Sequence, residues 1–419
     1  MLLKDPEHAA HSSVEGLAYA SLQPTVKEEL SRDSEFLKKL VQTLEGAPPK
    51  SPLTYGALSI FLNLTVFQPK QTEEEQKMQQ LKAYANAAGK IQPVPLNDDE
   101  HVTERCKRVF EAGLTPVLVS HSKNGSVASL SLVISIVYSF TVLTSLRGQL
   151  AQQGAVRLLI AAWAALPATE AKARRTAAQA LARILISTNP SHVFGGNRPT
   201  PQSTAIRPLV SIVGLSADSD SRDLLPTFEA LMALTNLAST DDDARAAIVR
   251  AVWPTLEDQL LSSNPRITTA AVELVCNLVQ SPEAAILYVS DRQAAMRLHV
   301  LLALADAEDE PTRSGAGGAL AALTGIPEVV KGIVDRERGV DVVLGLCSEN
   351  SEELRHRGAF IAYNMIAAEG EAGRLAREKI RASKGIEVLT QCAKKSRRSE
   401  VVEVTVQALK ELLEDKAGK

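Results

Sequence analysis

Residues 228–239, "FEALMALTNLAS", form a run in which leucine, methionine and alanine leave almost no polar face, which predicts a helix inside a protein. The amide near its end, Asn236, must bond neighbouring backbone or meet a partner from outside, because a stranded buried amide costs about 1–3 kcal/mol. The same helix ending recurs along the chain. "ALARIL", "ALTNLA", "LVCNLV", "ALAALT", "AYNMIA" and "ALKELL" align Arg183, Asn236, Asn277, Ala322, Asn364 and Glu411 at intervals of 53, 41, 45, 42 and 47 residues. This is the period of armadillo and HEAT repeats, whose two or three helices bury their apolar faces on neighbouring units.

A second pattern precedes most of these endings. "AGLTPVLVS", "GAVRLLIAA", "AIRPLVSIV", "VWPTLEDQL", "GVDVVLGLC" and "GIEVLTQCA" each place a small residue or turn former ahead of a short apolar helix, with Gly113, Gly154, Gly339 and Gly385 expected at sharp turns. Short helix followed by long helix is the armadillo order. The predicted fold is therefore all-α, an armadillo/HEAT-like right-handed helical repeat superhelix, or α-solenoid, over residues 1–419. Its expected parts are first repeats at 1–68, a charged, proline-rich insertion at 69–100, middle repeats at 101–188, a long loop at 189–204 and C-terminal repeats at 205–419. The insertion reads as an exposed helix and an extended linker. The uncharged stretch between Lys123 and Arg147 is long enough to span a bilayer, but its many serines and threonines point to a buried helix pair and no membrane insertion.

Composition agrees with helices. Hydrophobic residues make up 45% of the chain and aromatics only 4%, which suits packed leucine- and alanine-rich helices and suits a sheet poorly. A net charge of -3 gives no global attraction for nucleic acid or an anionic membrane. Cys106, Cys276, Cys347 and Cys392 are far apart and lack metal-ligand spacing, so they read as reduced thiols of a cytoplasmic protein, and no secretory signal pattern opens the chain.

Nothing predicts catalysis, a metal or a cofactor. "SGAGGALAAL", residues 314–323, lacks the preceding strand of a dinucleotide fingerprint and the Gly-Lys-Ser/Thr of a P-loop, so its glycines are expected to serve close helix contact or a hollow in a groove. His356 reads as a surface or packing residue. The basic cluster "KKSRRSE", residues 394–400, reads as a solvated turn.

Six stretches, in order, resemble one family. "VEGLAYASLQPTVKEEL", "RRTAAQALARILISTNP", "FEALMALTNLAS", "ELVCNLV", "GAGGALAALTG" and "ELRHRGAFIAYNMI" are similar to the UCS-domain proteins, myosin-directed chaperones of fungi and animals built on an armadillo array. The resemblance implies a chaperone or co-chaperone of the actin cytoskeleton that binds the myosin motor domain and promotes its folding and stability. Heat-shock chaperones and a second copy of the chain are the further partners expected. No TPR pattern precedes Val14, which fits the fungal type, and the immediate entry into repeats suggests that an N-terminal part of the natural protein is missing. "VFGG" stands where the family loop tends to read Phe-Pro-Gly.

In an armadillo array the long third helices line a concave face, and residues four and seven before the aligned position share it. The predicted client groove comprises Arg183; Glu229, Met232 and Asn236; Glu273 and Asn277; Gly315 and Gly318; and Arg357, Phe360 and Asn364. A client-binding loop is predicted at Asn189, Pro190, Phe194, Gly195 and Gly196, mobile when free and ordered against a client. The asparagines read as a ladder for a client backbone, with bridging of adjacent repeats as their alternative role. An adaptor or transport receptor for a linear peptide signal is the competing function. Importin-type arrays pair Trp with Asn on successive repeats, and neither Trp163 nor Trp253 lies four residues before a ladder asparagine.

Overall fold

The computed structural model describes residues 6–68, 77–78, 95–195, 200–214, 223–290 and 292–414, and all regular structure among them is helical. Most of the predicted insertion at 69–100 lies outside the described residues, as does Gly196. The chain forms two compact units, Met1–Ile212 and Val213–Lys419.

The repeat order is short helices followed by a long one. In the first unit the long helices are Pro52–Thr65, Val127–Val142 and Ala171–Ile186, each packed on the next. In the second they are Leu225–Ala238, Pro265–Leu278, Glu310–Leu323, Glu352–Ala367 and Ser399–Glu414, again each on the next. Their starts are written in the sequence. Ser51, Asn264 and Asp309 cap with side-chain oxygens that accept backbone N–H bonds, and each is followed within two residues by a proline. A cap of this kind contributes about 1 kcal/mol, and proline's missing N–H costs nothing at that position. Small residues then let the long helices approach, so their inner faces are closed by Ala230, Ala233, Ala271, Ala319 and Ala359, all fully buried.

The uncharged stretch is a helix pair, Val127–Val142 and Thr144–Gln152, as its hydroxyls predicted. Among the described residues no single helix is long and apolar enough to cross a membrane.

The four turn glycines act in two ways. Gly113 and Gly154 adopt left-handed conformations, with φ of 85° and 91°. Gly339 and Gly385 follow turns too tight for a side chain, which would collide with the Ile333 carbonyl at Gly339 and with Ile380 at Gly385, while Lys384 takes the left-handed conformation with φ 61°. One expectation needs correction, that for "VWPTLEDQL". Instead of opening a separate short helix, Pro254 lies inside a continuous helix, Asp242–Leu260. Buried Trp253 and Leu256 hold both sides of the proline to the core, and the Trp253 indole N–H donates across it to Glu257 at 2.9 Å.

One buried charge cluster ties the first unit together. Arg105, only 1% exposed, donates to the Leu64 carbonyl at 2.9 Å, to the Leu96 carbonyl at 2.7 Å and to Glu28 at 3.2 Å. Burial pushes the Glu28 carboxyl up, but hydrogen bonds from Arg105, Arg32 and Arg108 outweigh that and hold it below the usual carboxylate range.

Candidate binding face of the long helices

The second unit carries most of the predicted groove residues on successive long helices. Asn277 sends its amide nitrogen to the Thr235 carbonyl at 3.1 Å, on the long helix before its own. Asn364 does the same to the Ala321 carbonyl and the Thr324 hydroxyl, both at 3.1 Å. The first unit repeats the device, with Asn63 donating to the Ala18 carbonyl at 3.1 Å and the Ser21 hydroxyl at 2.9 Å. Each amide reaches back to the end of the preceding helix it packs on, to a carbonyl and, for Asn63 and Asn364, also to a hydroxyl, so the bridging role expected as the alternative is the one these nitrogens perform. Asn236 occupies the equivalent place and is half-buried. The signal for Asn63 was available: "FLNLT" carries the same ending as "LTNLA".

Glycines set how closely the helices meet. A Cβ on Gly315 would lie 2.9 Å from Val272 Cγ1, and one on Gly318 would lie 2.6 Å from Cys276 Sγ. Both residues are buried, so the glycine row is a seam of tight helix contact with its space already filled. Of the two roles expected of these glycines, close helix contact and a hollow, it is close contact that holds at these two positions. Glu229, 8% exposed, also turns inward.

What the face does present is mixed. Met232 and Glu273 are half-buried, and desolvation raises the Glu273 carboxyl above its ordinary value. Arg357 packs beside Gly317 and Gly318 and pairs with Glu353 at 2.8 Å. Phe360 is 41% exposed, its ring edge-on to His356 with centroids 6.3 Å apart. Beyond it a cleft of about 460 Å³ is lined by Glu353, His356, Arg357, Arg398, Glu400 and Val401. Sequence reasoning missed Glu353 and Arg398 because they lie off the chosen ladder positions, at a helix start and in a turn.

The remaining predicted residues lie in the first unit. Arg183 is buried, with its guanidinium 4.6 Å over the Tyr138 ring. In the loop, Asn189 caps a short helix, Pro190–Phe194, by accepting from the Ser191 N–H at 2.9 Å. Pro190 and Phe194 are buried, which anchors this end of the segment in the repeat, and Gly195 is exposed. The first unit also holds a larger cleft, about 790 Å³, whose lining includes Tyr19, Leu22, Tyr55 and Asn63.

All four cysteines are free thiols. Burial raises Cys106 to about 12 and Cys276 above its ordinary value. No group of residues able to hold a metal ion occurs among the described residues.

No family model matches the chain. Ring assembly protein 3 of Schizosaccharomyces pombe is 31% identical over 360 residues, covering 84% of this chain and 47% of that protein. The structure of UNC-45 from Drosophila melanogaster superposes with a TM-score of 0.81 at 27% identity, over 99% of this chain and 50% of that one. A second UNC-45 structure, described by its features "critical for binding and folding muscle myosin", has a TM-score of 0.78 at 21% identity, over 99% of this chain and 42% of that one, a likeness of fold alone. The chain spans about half the length of the curated relatives it matches.

Proposed function

Since the chain belongs to the UCS-domain family over the region it shares with these relatives, we propose that it is a myosin-directed chaperone that holds a motor domain against its long-helix face. The observation that supports this most is the composition of that face. Phe360 and Met232 offer adaptable apolar contact, Arg357 and Glu273 offer charge, and the asparagines between repeats keep these side chains in register. A surface of this kind grips a partly folded chain without reading one sequence. The buried glycine seam makes the face stiff, which lowers the cost of holding a client. Arg183 and the Asn189–Gly195 segment are proposed as further contacts on the first unit, and Asn236, Glu229, Gly315 and Gly318 as residues that shape the face. Heat-shock chaperones and a second copy of the chain are proposed as additional partners, and the cytoplasm as the place of action.

The chaperoning proposed here uses no nucleotide cycle of its own. The purified chain should suppress heat-induced aggregation of a myosin motor domain at near-stoichiometric ratio without ATP. Suppression that required ATP in the presence of this chain alone would refute the reading. The adaptor alternative predicts tight binding of a short linear peptide with no effect on aggregation, and nothing on the long-helix face favours it.

A further inference from the structure

The basic run "KKSRRSE" turns its charged side chains to solvent, as expected. It joins helix Gly385–Lys395 to helix Ser399–Glu414, and the fold clamps its backbone. The N–H groups of Arg397 and Arg398 donate to the Glu352 carboxylate at 2.8 and 3.4 Å. Ser396 accepts from buried Arg355 at 2.8 Å, and Lys395 donates to Asn350 at 2.7 Å and to the Ser348 and Glu349 carbonyls. Ser396 and Lys395 are thus committed to the preceding repeat. The side chains of Lys394, Arg397, Arg398, Ser399 and Glu400 remain exposed. The result is an exposed serine on the first residue of a helix, directly after two arginines of a held turn and close behind two lysines.

We propose that Ser399 is a phosphorylation site for a serine kinase with an acidic substrate groove, and that the phosphate resets the charge of the cleft beside Phe360. Cationic residues just before a hydroxyl are what such a groove selects. In the transfer, the Ser399 oxygen bonds the γ-phosphorus of ATP, the bond to the β-phosphate oxygen breaks, ADP leaves, and the hydroxyl proton passes to the kinase's base.

The consequence follows from Arg398. Its guanidinium lies 3.5 Å from the Glu353 carboxylate, which Arg357 also holds. A phosphoserine carries a charge of about -1.5 to -2 and three acceptor oxygens, so one residue away it outcompetes a single, shared carboxylate for Arg398. The cleft lining, now two arginines against two glutamates with His356 beside them, gains that negative charge at its rim. This regulatory half rests on the proposed client-binding role of the face; the modification itself does not.

The test uses the full chain with the catalytic subunit of a basophilic serine kinase and Mg-ATP, read by intact mass and site mapping. Expected is one phosphate on Ser399, absent in Ser399→Ala, with phosphorylation slowed at least tenfold in the Arg397→Gln, Arg398→Gln double variant. Phosphate on Ser396 or elsewhere in its place, or an unchanged rate in the double variant, overturns the site assignment. The phosphorylated and untreated proteins are then compared for motor-domain binding, where a change in Kd of threefold or more is expected. Equal Kd values overturn the regulatory half. Absence of binding in both forms refutes the chaperone reading and leaves the mapped site standing.

Discussion

Replacing glycine by alanine at three helix positions should give opposite signs, and the sign measures how full the inter-helix space is. In a helix the exchange stabilises by about 1 kcal/mol when nothing is in the way. At Gly345, exposed on the Gly339–Ser348 helix, an added Cβ meets nothing within 4 Å, so Gly345→Ala should gain that amount. At Gly318 the same Cβ would sit 2.6 Å from Cys276 Sγ, and at Gly315 it would sit 2.9 Å from Val272 Cγ1 and 3.4 Å from the backbone nitrogen of Glu273. Val272 has one comfortable rotamer in a helix and backbone cannot yield, so overpacking of about 1–3 kcal/mol outweighs the propensity gain. Both variants should lose about 1 kcal/mol net, read as a lower urea midpoint at unchanged m-value. Cys276→Ala in the Gly318→Ala background should recover most of the loss, giving a coupling of about 1 kcal/mol in a double-mutant cycle. Gly318→Ala as stable as Gly345→Ala would show a hollow at that seam and refute the tight contact.

Arg105→Met should cost about 3 kcal/mol, at the low end for breaking a buried pair because Glu28 keeps Arg32 and Arg108, and a urea melt of the whole chain measures it. Asn277→Ala should lower stability by about 1 kcal/mol, since it removes the cross-repeat donor to the Thr235 carbonyl, and Asn364→Ala by less, since the Ala321 carbonyl keeps the Thr324 hydroxyl; an unchanged melting temperature with weakened motor-domain binding would return both residues to direct client contact. Glu273→Gln tests the burial of a carboxylate. Because the folded-state pKa is raised, the group's stabilising contribution is present below its unfolded value and lost as pH rises, so the variant should melt higher than the parent at pH 7 and equal to it near pH 4.

The repeats were legible because their signals are local. Period, caps and apolar runs all act within a few residues, and the aligned endings from Arg183 to Glu411 fall on the long helices. The face was only half legible. Spacing along one helix says which residues share a side, but the distance to the next helix decides which of them meet solvent. Glu229 shares a side with Met232 yet is buried, and Gly318, on an equivalent rung of its own helix, is closed over by Cys276 and Arg357. Bridging by the asparagines was legible as an alternative, but the partner of each was not, for a similar reason. An amide's partner 42 or 43 residues away is fixed by the stacking offset between repeats, which no local pattern encodes.

The grip of Arg105 on the carbonyls of Leu64 and Leu96 has a meaning for inheritance and engineering. A single guanidinium fastens the chain at Leu64 and again at Leu96, so the two flanking segments are tied directly to one another. For any segment held at two fixed ends, doubling its length costs only about 0.6 kcal/mol more. Descendants of this sequence can therefore lengthen, shorten or rewrite that stretch while the repeats on either side keep their seats, and a laboratory can use the same port to graft a reporter without disturbing the array.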